Sequence, residues 1–183
     1  MGYTAEFLAD ELLSVIIPEE DRDSEHFQGT PARFAKMLKE LTTPEEFVFT
    51  TFDSNHDEMI IESPINFFSL CAHHVIPFYG SAHVAYIPQG KIAGLSKLAR
   101  TVTSFAKGLW TQEDLTFAIA EDLEEKLEPI GVAVVMQAEH LCMTMRGARA
   151  PGTKTTTSIM RGAFLDPSKQ ARQEFLQLID GKL

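Results

Sequence analysis

Gly131-Val132-Ala133-Val134-Val135-Met136-Gln137-Ala138-Glu139-His140-Leu141-Cys142 is the stretch on which the reading turns. Residues 131–138 read as a strongly apolar strand. A core would continue with aliphatics; instead the chain places His140 and Cys142 there, two metal-capable side chains at the end of a buried strand. The chain has one other cysteine, in Cys71-Ala72-His73-His74. A thiolate and an imidazole three residues apart can both reach one zinc from a tight turn. Cys71, His74 and Cys142 would give three ligands and leave one position open, which suits a catalytic zinc better than a structural one. His73 and His140 remain as candidate acid/base groups. The alternative is a reduced cysteine pair in the core with two solvated histidines, and spacing alone does not separate the two.

Working outward, the rest of the chain reads as short strands framed by helices. Residues 4–17 carry Phe7, Leu8, Leu12, Leu13 and Ile16 at helical spacing behind a Thr4 cap. Pro18 and the charged stretch after it end that helix. A second helix is expected from Thr30-Pro31, with Thr as cap and Pro in the first turn. Phe47–Phe52, Glu58–Glu62, Ile65–Leu70 and Ser81–Ile87 are candidate strands, and Pro88-Gln89-Gly90 is a turn. A helix is expected over Ser96–Leu109 and another from a Thr111 cap to Leu127, with acidic residues in its first turn. Thr153–Met160 is a Thr-rich strand, and a terminal helix is expected from Asp166-Pro167 to about Asp180. This order predicts an α+β class in one domain over residues 1–183, with a helical part at 1–43 and a core at 44–183.

Bulk properties exclude several classes. With 183 residues and 44% apolar content the chain is an ordinary globular one. The net charge of −10, from 16 basic against 26 acidic residues, argues against general nucleic-acid binding. It leaves room for an anionic small molecule in a local cationic pocket. No apolar run approaches the roughly 18 residues that span a bilayer, and no basic leader opens the sequence. A cytoplasmic location is expected, where a lone disulfide is disfavoured.

Further motifs carry charge or polar edges. In Gly94-Leu95-Ser96-Lys97-Leu98-Ala99-Arg100, Ser96 would cap a helix whose first turn holds Lys97 and Arg100. Cations there oppose the helix dipole, and an anion bound at the helix start would relieve the conflict; the alternative is a solvated basic face. Arg146, close in sequence to Cys142, suits bidentate phosphate binding. Arg33 and Lys36 share a helix face that pattern alone reads as solvated. Gln112 and Glu113 could read a purine edge, although capping is the stronger explanation from pattern alone.

Together these residues resemble the GTP cyclohydrolase I family. The likeness lies in Cys71-Ala72-His73-His74, Ala85-Tyr86-Ile87-Pro88, Gly94–Arg100, Gln112-Glu113, Glu139–Gly147 and Thr155-Thr156-Thr157-Ser158, in the family's order, across roughly Gln28 to Leu178. It implies a tunnelling fold: an antiparallel sheet with helices on one face, closed into a ring by subunits, in a homodecamer of two stacked pentamers. The first helix is shorter than in many members, so an extended N-terminal regulatory segment is not expected. The implied reaction converts GTP and water to formate and 7,8-dihydroneopterin triphosphate. Its steps are attack of zinc-activated hydroxide on guanine C8, imidazole opening, deformylation, ribose rearrangement and pterin closure.

By the same resemblance Cys71, His74 and Cys142 hold Zn2+, and His73 and His140 are the acid/base histidines. Ser96 assists at the ribose, and Gln112 and Glu113 recognise guanine. Lys97, Arg100 and Arg146 hold the triphosphate, and Arg33 and Lys36 reach it from a neighbouring subunit. Two positions depart from the family: Ala72 stands where a Glu is usual, and Asp114 where an Arg is usual. Neither removes a ligand. The alternatives are another enzyme on the same fold, or a non-catalytic or substrate-shifted homologue that binds GTP or a related purine or pterin. The nitrile reductase on this fold lacks the Cys-x-His-His pattern, which counts against the first.

Overall fold

The computed structural model describes residues 3–168 and 170–181 and divides the chain into two compact units, Met1–Thr43 and Pro44–Leu183. In the first, helix α1 (Ala5–Ile16) starts as expected, with the Thr4 hydroxyl accepting from the Phe7 N–H at 3.2 Å. Helix α2 (Thr30–Thr42) differs at its start. Gly29, at φ 71°, takes the cap position, where a left-handed backbone costs glycine nothing. The Thr30 hydroxyl instead accepts from Arg33 at 2.7 Å.

The second unit is built on a five-stranded sheet in the order β5-β2-β3-β6-β7. These strands are β2 (Ile60–Cys71), β3 (Pro77–Ile87), β5 (Leu109–Trp110), β6 (Gly131–His140) and β7 (Lys154–Gly162). All pairings are antiparallel except β2 with β5. The strands expected at 58–62 and 65–70 are one strand, interrupted by an irregularity between Glu62 and Ile65. Of the strand expected over 47–52, only β1 (Thr51–Asp53) forms, paired with β4 (Lys91–Ala93) in a separate two-stranded sheet.

Helices α3 (Ser96–Phe105) and α4 (Gln112–Leu127) pack on one face of the sheet. There Val102, Leu115, Ile119 and Leu123 meet Phe67, Val84, Val132 and Val134, all buried. Helix α3 stops short of Leu109, because Leu109 pairs with Leu70 in β5. The alternate residues of the same strands, Ala85, Ala133 and Val135, take Phe164, Phe175 and Ile179 against the other face. This second layer is α6 (Ala171–Ile179), which starts later than Asp166-Pro167 predicts. The Asp166 carboxylate accepts from the Ser168 N–H and hydroxyl at 2.9 and 2.7 Å, a local turn rather than a helix cap. The class is α+β, as the element order predicts.

Candidate metal and nucleotide site

Strand register decides which distant residues meet. Leu70 of β2 faces Pro77 of β3, and Phe78 of β3 faces His140 of β6. The ends of these strands therefore lie side by side, joined by the turn at 72–76 on one side and opening into α5 (Leu141–Thr144) on the other. Gly80 permits this close approach: a Cβ there would sit 1.9 Å from the Gln137 carbonyl oxygen on β6. The turn is tight. The Cys71 carbonyl accepts from the His74 and Val75 N–H groups at 3.3 and 2.8 Å, and the Cys71 N–H donates to the Ile76 carbonyl at 2.9 Å. Val75 is held at φ 55°, a left-handed position that a β-branched residue occupies only under strain of about 1–3 kcal/mol.

This arrangement folds His74 back over Cys71 and brings Cys142 to both. The donor atoms of Cys71, His74 and Cys142 all lie within 4.8 Å of one another. Cys71 Sγ is 4.0 Å from His74 Nδ1 and 3.7 Å from His73 Nδ1. A tetrahedral zinc would hold such donors about 3.5–3.8 Å apart, given its bond lengths to sulfur and nitrogen. Two thiols and an imidazole are a borderline-soft donor set of the kind zinc takes. Both cysteines are free. Burial pushes the Cys142 thiol above its usual range, and the neighbouring Cys71 adds to this; Arg146 pulls weakly the other way. Two adjacent thiolates repel one another, and a divalent cation between them reverses that balance. The residues fit zinc.

His140 is held by a ring stack and a hydrogen bond. Its ring stacks on Phe78 at 4.7 Å with planes 1° apart, and its Nε2 lies 2.8 Å from Gln112 Oε1. Burial holds its pKa below the usual histidine value, with the Glu113 charge partly offsetting. Gln112 itself is buried, with its amide nitrogen directed at protein oxygens of β6 and β7. Glu113, one residue on, is exposed. Thr111 caps α4 as expected, accepting from the Asp114 N–H at 3.1 Å, and Asp114 closes the cap by accepting from the Thr111 hydroxyl at 2.8 Å. Arg146 is exposed just beyond α5, and Ala72 is exposed in the turn.

The helix carrying Ser96, Lys97 and Arg100 starts elsewhere. Gly94, Leu95 and Leu98 border a cavity of about 230 Å³ together with Ile60 and Tyr86. Ile60 pairs with Tyr86 at the far end of the β2–β3 hairpin, whereas Leu70 pairs with Pro77 beside the cysteines. The ten residues from Ile60 to Leu70 span about 30 Å of strand. One chain thus keeps Ser96 and Lys97 at the opposite end of the sheet from Cys71. Ser96 is the first helical residue rather than the cap, because Leu95 already has helical dihedrals, and no acidic residue stands in the first turn. In the N-terminal unit, the Arg33 guanidinium donates to the Gln28 and His26 carbonyls at 2.9 and 3.2 Å. Lys36 is exposed and pairs loosely with Glu40 at 3.7 Å, so it is the freer cation of the two.

Reading the sequence missed Phe78, Thr116 and Thr157, which hold His140 and Gln112 in place. The run Thr155-Thr156-Thr157-Ser158 was the available signal. A hydroxyl-rich edge strand beside the aliphatic β6 implies polar partners across from it.

The sequence profile of the family described as GTP cyclohydrolase I matches residues 7–180. A GTP cyclohydrolase 1 of Bacillus subtilis is 51% identical over 166 residues, covering 87% of each chain. Those of Thermobifida fusca and Aquifex aeolicus are each 49% identical, over 89% and 88% of this chain and 82% and 89% of their own. Among solved structures, the archaeosine synthase QueF-Like in the apo form is a distant likeness, 16% identical with a TM-score of 0.47 over 60% of this chain and 96% of its own. On the profile and the curated relatives, the chain belongs to the GTP cyclohydrolase I family of enzymes.

Proposed function

We propose that this chain converts GTP and water to formate and 7,8-dihydroneopterin triphosphate, in the cytoplasm, as a homo-oligomer. The observation that carries the reading is the convergence of Cys71, His74 and Cys142 within 4.8 Å, with His140 anchored beside them. Zinc held by these three residues would supply a water acidified toward neutrality for attack at guanine C8. The protein's own groups do the rest. His140, rigid against Phe78, passes a proton to the imidazole nitrogen of guanine as the ring opens. His73, exposed beside Cys71, and Ser96 handle protons in the ribose rearrangement. Glu113 accepts from the N–H edge of guanine. Arg146, Lys97 and Arg100 bind the triphosphate, and, as the family resemblance implies, Arg33 and Lys36 reach it from a neighbouring subunit. That remote binding energy orients C8 at the metal.

The separation of Ser96 and Lys97 from Cys71 supports an oligomer in which one subunit supplies the cysteines and another supplies the start of α3. The family resemblance implies a ring-shaped decamer with a tunnelling fold, and residues 1–183 acting as one functional domain. The test is incubation with GTP, with and without a strong zinc chelator, following formate and pterin fluorescence. Chelator-sensitive release of both is expected. GTP binding to zinc-loaded protein without formate would overturn the enzymatic reading in favour of a binding homologue, the outcome that the missing carboxylate at Ala72 favours.

A further inference from the structure

A directed hydrogen-bond network runs from β7 to His140, and its polarity can be worked out from chemistry alone. Gln112 Nε2 lies 3.1 Å from the Met136 carbonyl oxygen and 3.0 Å from the Thr155 carbonyl oxygen. Carbonyl oxygens only accept, so the nitrogen of the amide must face them. A flipped amide would set an oxygen against two carbonyl oxygens inside a buried site, at the cost of stranding all three. Gln112 Oε1 therefore faces His140 Nε2, at 2.8 Å. An amide oxygen only accepts, so Nε2 of His140 must carry a hydrogen.

The hydroxyls agree. Thr116 Oγ1 donates to the Gln112 carbonyl at 2.6 Å, which uses its only hydrogen. Thr157 Oγ1, 2.6 Å away, then donates to Thr116 and keeps its lone pairs for Gln112 Nε2 at 3.1 Å. Every donor in the chain meets an acceptor in one direction only. The parallel stack on Phe78 fixes the plane of the imidazole, and the amide fixes its rotation within that plane.

We infer that Gln112 is a positioning residue that locks His140 as the Nε2–H tautomer, leaving Nδ1 as the nitrogen that exchanges a proton with substrate. This rests on the proposed function for the claim that His140 handles a proton at all. It also removes Gln112 from purine recognition. Both of its N–H groups are engaged within the protein, so guanine reading falls to the exposed Glu113.

The direct test reads the parent protein. Solid-state 15N spectra of the zinc-loaded oligomer, labelled at histidine and assigned with His140→Gln, report the tautomer. A pyrrole-type signal at Nε2 and a pyridine-type signal at Nδ1 of neutral His140 are expected; the reverse assignment overturns the inference. Kinetics supply the second arm. Thr157→Val and Gln112→Leu should lower kcat by about 10- to 100-fold, part of the usual acid/base contribution, and leave KM for GTP within about twofold. Thr157→Val keeps both carbonyl contacts, so it remains informative if Gln112→Leu does not fold. A rise in KM without loss of kcat, together with altered preference for GTP over inosine triphosphate, would show purine reading and overturn the inference. If His140→Ala keeps full activity while the Nε2–H signal is present in the parent protein, the proposed mechanism fails and the tautomer assignment stands.

Discussion

At one end of the sheet, Cys71, His74, His140, Cys142 and Gln112 come together from β2, β6, α4, α5 and one tight turn of a single chain. At the other end, Ser96 and Lys97 begin a helix with no acidic residue in its first turn and no side-chain cap. At the first end the His140 imidazole, the Gln112 amide and the Thr116 and Thr157 hydroxyls find partners within the chain. The second carries basic groups at a helix start that already bears partial positive charge; the Glu62 carboxylate accepts there from the Ala99 backbone, and the cations Lys97 and Arg100 favour a further anion from outside. The two ends are thus separated along about 30 Å of strand within one chain, and on the proposed function association of chains would bring them together.

The largest expected effect breaks the first end. Cys142→Ser should release zinc, measured by elemental analysis, and reduce formate production by about 10³-fold or more. Full activity in verified zinc-free Cys142→Ser protein would sink the metal assignment. The same variant tests the separation itself. Lys97→Ala/Arg100→Ala should also be nearly inactive, with its zinc retained. If two chains share a site, dissociating and mixing the two inactive proteins restores activity in the mixed oligomers. No recovery, in oligomers shown to contain both chains, would mean that each site draws on one chain.

A smaller effect is expected where the two ends should meet. Arg146 follows α5 at the metal end and is exposed. Losing a charge-assisted contact worth about 1.5–3 kcal/mol should raise KM for GTP by about 10- to 100-fold. KM for guanosine should barely move, because guanosine has no phosphate to lose. Equal shifts for both would place Arg146 outside the triphosphate site. Smaller again is Thr111→Ala. It deletes the cap that starts α4 directly before Gln112 and should cost about 1 kcal/mol in urea unfolding.

The metal end was largely legible because its signals are local. A thiol and an imidazole three apart, and a histidine and a thiol ending an apolar strand, are readable without coordinates. The start and end of α4 were legible for the same reason, since Thr111 and Asp114 cap it through their own backbone. What pairing decides was not legible. Leu109 fits a helix by local preference yet pairs with Leu70, where it supplies backbone partners to the edge of β2. Asp166-Pro167 looks like a helix start but closes a turn. The inward commitment of Gln112 depends on two carbonyls and a hydroxyl distant in sequence, which no local pattern announces.

The subtlest prediction concerns Glu62, which borders the cavity beneath the start of α3. Burial raises its carboxyl pKa above 4.5, and a hydrogen bond from the Ala99 backbone only partly compensates. A carboxylate whose folded pKa is raised binds its proton more tightly in the folded state than in the unfolded one. Stability attributable to it therefore falls as pH rises from about the unfolded value through the folded one, and stays lowered at neutral pH. Glu62→Gln keeps an acceptor for Ala99 and removes the buried charge. The variant should be modestly more stable than the parent at pH 7–8 in urea unfolding, with the difference vanishing below the unfolded pKa, where both forms are neutral. A stability difference independent of pH would mean that shape, not charge, decides at this position. A loss of stability at neutral pH would mean that the carboxylate is compensated by the cations of α3, and that this end of the sheet is less in need of an external anion than its helix start suggests.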